Sequence, residues 1–234
     1  MLDLDTVVAG YGEKQVLYGA SLKIDASEIV GLVGPNGSGK STVLKSIFGM
    51  VKVTAGEVKY KGEVIQNRKP SLNAADGICY IPQGSKVFDK LTVQENLEMG
   101  GVLIRKRTEL NERIASMYDQ FPKLKQYKNS PAGRLSGGER QMVGLCRGLI
   151  MHPDMMLVDE PSIGLAPVLV QQTMELIRII RENWRTTVLI VEQNVPAMLK
   201  IADRVYLLST GKVIHEEKAV ESETEQRLRA LFLK

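Results

Sequence analysis

Long apolar runs are missing from this 234-residue sequence. None approaches the roughly 18 residues needed to cross a bilayer as a helix. The N-terminus, MLDLDTVV, has no basic n-region and does not read as a secretory signal. The expectation is therefore a soluble chain working in the cytoplasm. Cysteine is scarce as well: Cys79 and Cys146 stand far apart with no CxxC spacing, which argues against a metal or redox role. Both sit in apolar surroundings and are expected to be buried, inert thiols. The two histidines, His152 beside Pro153 and His215 beside Glu216 and Glu217, read as loop residues. Low-complexity tracts, internal repeats and a long coiled-coil insertion are absent too.

What is present is a globular composition, 44% hydrophobic and 25% charged, with a mild net charge of +4. That charge suits nucleic acid, an acidic membrane surface or nucleotide phosphates, and decides between none of them. A chain of this length forms one large domain, or a domain with a subdomain, and buries about 70–75% of its unfolded surface.

Short apolar runs alternate with amphipathic helical stretches, the pattern of an α/β protein with a largely parallel sheet. EIVGLVG (28–34), GICYIPQ (77–83), MMLVDE (155–160) and TVLIVEQ (187–193) read as core strands. GEVKYKGEVI (56–65) reads as two short strands around a Lys61-Gly62 turn, an antiparallel insertion. From 88 to 150 the pattern turns helical, through VQENLEMGGVLIRKR and ELNERIASMYDQF. This predicts a helical subdomain at 88–150 inserted into a catalytic core made of 1–87 and 151–234. RVYLLSTGKVI (204–214) predicts a hairpin, and ETEQRLRALFLK a closing helix.

GPNGSGKS, residues 34–41, fits GxxxxGK[ST], with a strand leading in and a helix leading out. Gly34, Gly37 and Gly39, with Pro35, Asn36 and Ser38 between them, allow the backbone to wrap a phosphate. The helix N-terminus at Lys40, Ser41 and Thr42 adds partial positive charge; Lys40 reaches the terminal phosphates and Ser41 offers a hydroxyl to Mg²⁺. MMLVDE supplies the complement. Asp159 at the strand end can hold Mg²⁺ through water, and Glu160 can polarise an attacking water or, in a structural reading, cap the turn that follows. The set describes an ATPase or GTPase, and without an NKxD-type guanine reader ATP is preferred.

LSGGERQ (135–141) opens a second helix. Ser136 and Glu139 form a capping box. Capping leaves Gly137 and Gly138 unexplained; they strip the helix entrance of side chains and expose its N–H groups, as a second anion site would. One cradle and one separate anion site suggest that two chains share each nucleotide.

With these motifs in this order the chain resembles the ATP-binding subunits of ABC transporters over essentially its whole length. GPNGSGKS stands as the Walker A loop, MMLVDE as the Walker B strand, LSGGERQ as the signature and SIGLAP (162–167) as the D-loop. The resemblance implies a P-loop NTPase core carrying an antiparallel β subdomain and an inserted helical one. It implies Tyr11 stacking on adenine, Gln83 at the Q-loop as a further Mg²⁺ and nucleotide contact, and head-to-tail dimers. In such a dimer Ser136, Gly137, Gly138 and Glu139 act on the partner chain's ATP. Two departures stand out. Gln193 replaces the usual histidine that contacts the γ-phosphate, so a hydrogen-bonding role survives without a titrating group. Ala166 stands in the D-loop where aspartate is usual.

VEQN, GLAP and the short C-terminus narrow the resemblance to the shorter ATPase subunit of branched-chain amino acid importers. That implies ATP and Mg²⁺ as cofactors, and transmembrane permeases, a second ATPase subunit in a homo- or heterodimer and, indirectly, a substrate-binding protein as partners. It places the chain peripherally, on the cytoplasmic face of the membrane. The loop at 84–100 would meet the permeases, with Val87, Phe88 and Leu91 exposed for docking; Phe88 suits a core position equally. Export, for example of a lipid, and a soluble non-transport role are the alternatives. No nucleic acid partner is expected, because the basic stretches LIRKR and KLKQYK fall on the helical subdomain and read as solvated faces.

Overall fold

The computed structural model describes residues 1–84, 86–219 and 221–232. The chain opens with a hairpin of β1 (Leu2–Tyr11) and β2 (Lys14–Ile24), then β3 (Ile29–Val33), α1 (Lys40–Phe48), β4 (Lys52–Tyr60) and β5 (Glu63–Val64). Lys61 and Gly62 between the last two both have positive φ, 51° and 85°, as a tight hairpin turn requires. Next come α2 (Pro70–Ala75), β6 (Ile78–Ile81), α3 (Val93–Gly100), α4 (Arg107–Gln120), α5 (Pro122–Gln126) and α6 (Gly137–Leu149). The remainder is β7 (Met155–Asp159), α7 (Pro167–Trp184), β8 (Thr187–Val191), α8 (Val195–Leu199), β9 (Arg204–Ser209), β10 (Lys212–Lys218) and α9 (Glu221–Phe232).

Two sheets result. An antiparallel sheet has the order β2-β1-β4-β5, and a six-stranded sheet has the order β10-β9-β3-β8-β7-β6. Within the second, β9, β3, β8, β7 and β6 run parallel, and only β10 is antiparallel to its neighbour. The central strands are buried on both sides, and their two-residue period divides them between two cores. Ile29 and Val33 of β3, Met156 and Val158 of β7, and Val188 and Ile190 of β8 join a core with Leu97, Leu145 and Ile177 from α3, α6 and α7. Their alternates, Val30 and Leu32, Met155 and Leu157, Leu189 and Val191, face a second core with Val43 and Ile47 of α1 and Leu4, Leu17 and Val58 of the antiparallel sheet. In β3, Gly31 belongs on the first of these faces, where a Cβ would lie 2.2 Å from the Met198 sulfur.

Several details differ from the sequence expectation. The helix expected through VQENLEMGGVLIRKR stops at Gly100, and a loop precedes α4. Gly100 is required there because α3 and α6 approach so closely that a Cβ would sit 2.2 Å from the Arg147 carbonyl oxygen. Val87 and Leu91 are partly buried, while Phe88 is 46% exposed. Ser85, in the same loop, and residues 233–234 of the expected closing helix lie outside the described residues. His215 lies inside β10, not in a loop. Cys146 is buried, and burial raises its thiol pKa; Cys79 is only partly buried as a residue, yet burial pushes its thiol up to about 12.

Ala166 is the N-cap of α7, with extended backbone (φ −64°, ψ 151°), Pro167 behind it and no side-chain cap. Asp at this position would accept from a first-turn N–H and meet the positive end of the helix dipole. Ala166→Asp should therefore raise stability by about 1 kcal/mol. The check is a urea midpoint that moves upward with an unchanged slope; an unmoved midpoint would sink the capping account.

Candidate nucleotide-binding and catalytic site

Parallel pairing brings the C-terminal ends of β6, β7 and β8 to one edge. Ile81 pairs with Val158, and Asp159 with Val191. Gln83, Glu160 and Gln193, each one or two residues beyond its strand, consequently stand in a row with Glu160 in the middle. Gln83 Nε2 donates to Glu160 Oε2 at 2.7 Å, and Gln193 Nε2 donates to Glu160 Oε1 at 2.9 Å. The Glu160 carboxylate is thus held by two amides and does not cap the following turn. Glu160 is 7% exposed and sits at a left-handed φ of 44°, with its own N–H donating to the Val191 carbonyl at 2.9 Å. A non-glycine residue held there stores about 1–3 kcal/mol of backbone strain, as functional positions commonly do.

The cradle follows β3, the strand beside β8. Gly37 and Gly39 have φ of 79° and 105°, conformations that suit glycine. At Gly39 a Cβ would also press on Leu17 of β2 at 2.9 Å, so the antiparallel sheet backs the loop. Gly39 is the N-cap of α1 and offers no side-chain acceptor, so the first-turn N–H groups keep their capacity for an anion. Pro35, Asn36 and Gly37 are exposed; Ser38, Lys40 and Thr42 are buried, and the Ser38 hydroxyl has no partner among the described residues. Lys40 Nζ donates to the carbonyls of Gly34 and Pro35 at 2.8 and 3.0 Å. Ser41 Oγ donates to Asp159 Oδ1 at 2.8 Å, and the Tyr80 hydroxyl donates to Asp159 Oδ2 at 3.0 Å.

The electrostatics follow from burial. It lowers the Lys40 ammonium pKa, against the opposing pull of Glu160 and Asp159. It raises Asp159, reinforced by Glu160 and opposed by the hydrogen bonds from Ser41 and Tyr80. A hydroxyl in contact with a carboxylate, beside an ammonium and a helix N-terminus, fits a phosphate chain carrying a hard cation. Among the described residues no group of three or more His, Cys, Asp or Glu could cage a metal. That matches Mg²⁺, which prefers one or two protein oxygens plus phosphate and water. No hydrogen bond joins Gln83 to Ser41 or Asp159 among the described residues; its amide is placed on Glu160 instead.

Tyr11 ends β1 and is 48% exposed. Ser136 caps α6 in a complete capping box: its N–H donates to Glu139 Oε2 at 2.8 Å, and Glu139 N–H donates back to the Ser136 hydroxyl at 3.4 Å. The structure adds a packing reason for the two glycines. A Cβ at Gly137 would lie 3.0 Å from Leu165, and one at Gly138 would lie 2.7 Å from Leu169. Sequence reasoning missed Tyr80, although the GICYIPQ strand carries it, and assigned no partner to Glu192, the first polar residue after VLIV.

Residues 17–163 match the family described as ABC transporter. The chain is 38% identical to the high-affinity branched-chain amino acid transport ATP-binding protein BraG of Pseudomonas aeruginosa, covering 100% of this chain and 99% of that protein. It is 40% identical to a probable branched-chain amino acid transport ATP-binding protein, LivF, of Archaeoglobus fulgidus, over 91% and 90% of the two. With the lipopolysaccharide export system ATP-binding protein LptB of Haemophilus influenzae the identity is 31%, over 100% and 97%. Among solved structures, the ADP conformation of MJ1267, an ATP-binding cassette of an ABC transporter, superposes with a TM-score of 0.88 at 27% identity, covering 98% and 94%. A dimeric post-hydrolysis state of the cassette MJ0796, bound to ADP and Pi, gives 0.81 at 27%, covering 94% and 99%. The chain belongs to the ABC transporter family, as an ATPase built on the family's α/β cassette.

Proposed function

We propose that this ATPase powers an importer of a small polar or amino acid substrate, branched-chain amino acids above others. In this reading it works at the cytoplasmic face of the cell membrane with permease subunits and a second ATPase subunit, and indirectly with a substrate-binding protein. The observation that carries the transport assignment is likeness along the whole chain to branched-chain amino acid transport proteins, higher than the likeness to the lipid exporter.

The chemistry assigned to each residue follows from the site. Residues 34–42 bind the phosphates, with Lys40 exchanging its two carbonyl contacts for phosphate oxygens. Ser41, and Asp159 through water, would hold Mg²⁺, which when bound neutralises charge on the transferring phosphoryl oxygens. Glu160 takes the proton of the attacking water. Gln83 and Gln193 orient that carboxylate with amide donors that do not titrate. Tyr11 offers its free face to the base. Ser136, Gly137, Gly138 and Glu139 present the α6 N-terminus to the nucleotide of a second subunit, on a helical subdomain taken as 88–150.

A groove of about 350 Å³ next to this subdomain suits the permease. Phe88, Met99, Leu103, Cys79 and Phe48 line it. Arg147 also lines it, with its guanidinium over the Phe88 ring at 5.1 Å. A permease helix presenting apolar side chains would fit this lining.

Affinity purification from gently solubilised membranes, with mass spectrometry of the companions, tests the assignment. Two permeases of amino-acid type and a second ATPase are expected; a lipid-export permease would turn the reading to export, and soluble partners alone would end the transport reading. Phe88→Ala should lower recovery of the permeases while leaving basal ATPase activity intact. Glu160→Gln should lower turnover by about 10²–10⁴; full activity would remove the base assignment. Gln193→His should introduce a pH step. Relative to the parent chain, its turnover should fall as the pH drops through the imidazole pKa, which pairing with Glu160 raises above the ordinary value of about 6.5. A ratio that stays flat between pH 5.5 and pH 8, a range chosen about that value, would contradict the contact.

A further inference from the structure

Glu192 is 2% exposed and has no part in the chemistry assigned above. Its carboxylate gathers backbone donors from two separate segments. Oε1 accepts from the Ser162 N–H at 2.8 Å; Oε2 accepts from the N–H groups of Gln193 at 3.0 Å and Asn194 at 3.2 Å. Ser162 follows Glu160 by two residues, and Gln193 holds the Glu160 carboxylate. The contacts close a ring: Glu160, Pro161, Ser162, across to Glu192, on to Gln193, and back to Glu160. Burial raises the Glu192 pKa, and the donors from 162, 193 and 194 oppose it.

We infer that Glu192 is a positioning residue for Glu160, acting through Gln193 and Ser162. This rests on Glu160 being the base. One arm of the ring is the start of the 162–166 loop, whose next residues, Ile163 at 46% exposure and Gly164 at φ 72°, are open to a neighbouring molecule. Displacing that loop pulls on Glu192, and through it on the amide that sets the Glu160 carboxylate. A buried carboxylate that merely satisfied the entrance to α8 would need only the donors of Gln193 and Asn194. The third donor, from Ser162, ties that entrance to the segment carrying the base.

The experiment uses Glu192→Gln in the full-length chain. Glutamine keeps the size and one acceptor oxygen but must turn its NH₂ toward one set of N–H donors. The expected result is a kcat lowered about tenfold with KM for ATP within about twofold, because a misplaced catalytic group reduces the chemical step and not binding. In a Gln193→Ala background the same change should cost less than about threefold, since the arm through the Gln193 amide is already cut and only that through Ser162 remains. Hydrogen exchange should quicken at whichever set of donors the NH₂ faces, Ser162 or the pair Gln193 and Asn194, with the β7 and β8 amides unchanged. An unchanged kcat, an equal fold-loss in both backgrounds, or unchanged exchange at Ser162, Gln193 and Asn194 alike would overturn the inference. A fully active Glu160→Gln would instead remove the base it serves, while the exchange measurement still decides whether the ring exists.

Discussion

Strand register is the constraint on which the site depends. β6, β7 and β8 lie side by side and parallel, with Ile81 against Val158 and Asp159 against Val191, so three polar strand ends arrive at one level. A slip of one residue in either pairing would carry an amide away from Glu160 and turn a buried strand's side chains to the opposite core. The division of alternate residues between two apolar cores makes such a slip costly, because both faces of β3, β7 and β8 are filled. The geometry of the candidate site is therefore stabilised by packing well behind it, and little of the placement is left to the loops.

On that frame the electrostatic design is economical. Two carboxylates, Asp159 and Glu160, stand next to each other on one strand end, and Asp159 feels the repulsion. They are separated by what they touch. Asp159 takes hydroxyl donors from Ser41 and Tyr80, and Glu160 takes amides from Gln83 and Gln193. The first is thus held by two donors that can rotate, and the second by two neutral amides that do not titrate.

Much of this is legible in the sequence wherever the signal is local. GPNGSGKS, MMLVDE and the capping box of LSGGERQ each carry their structure within a few neighbouring residues. The hairpin of β1 and β2 passes unread although Leu2, Leu4, Val7 and Ala9 are the buried residues of β1, because bulges interrupt the two-residue period. What cannot be read are contacts across distance. Gln83 and Glu160 are 77 positions apart, and nothing near either one names the other. The same holds for Gly137 and Gly138, whose reason includes Leu165 and Leu169 on a different element. Gln193 is legible as an amide at a strand end, but its hydrogen-bond partner is visible only after the strands are paired.

Gln83 opens the segment that passes Phe88 on the way to α3, so a single chain of few residues connects the wall of the groove to the carboxylate. Coupling of this kind is reciprocal in equilibrium binding. If a molecule seated in the groove shifts Gln83 and changes the affinity of the site for nucleotide, then nucleotide must change the affinity of the groove by the same factor. The grip on a partner and the grip on ATP are then one quantity measured at two places.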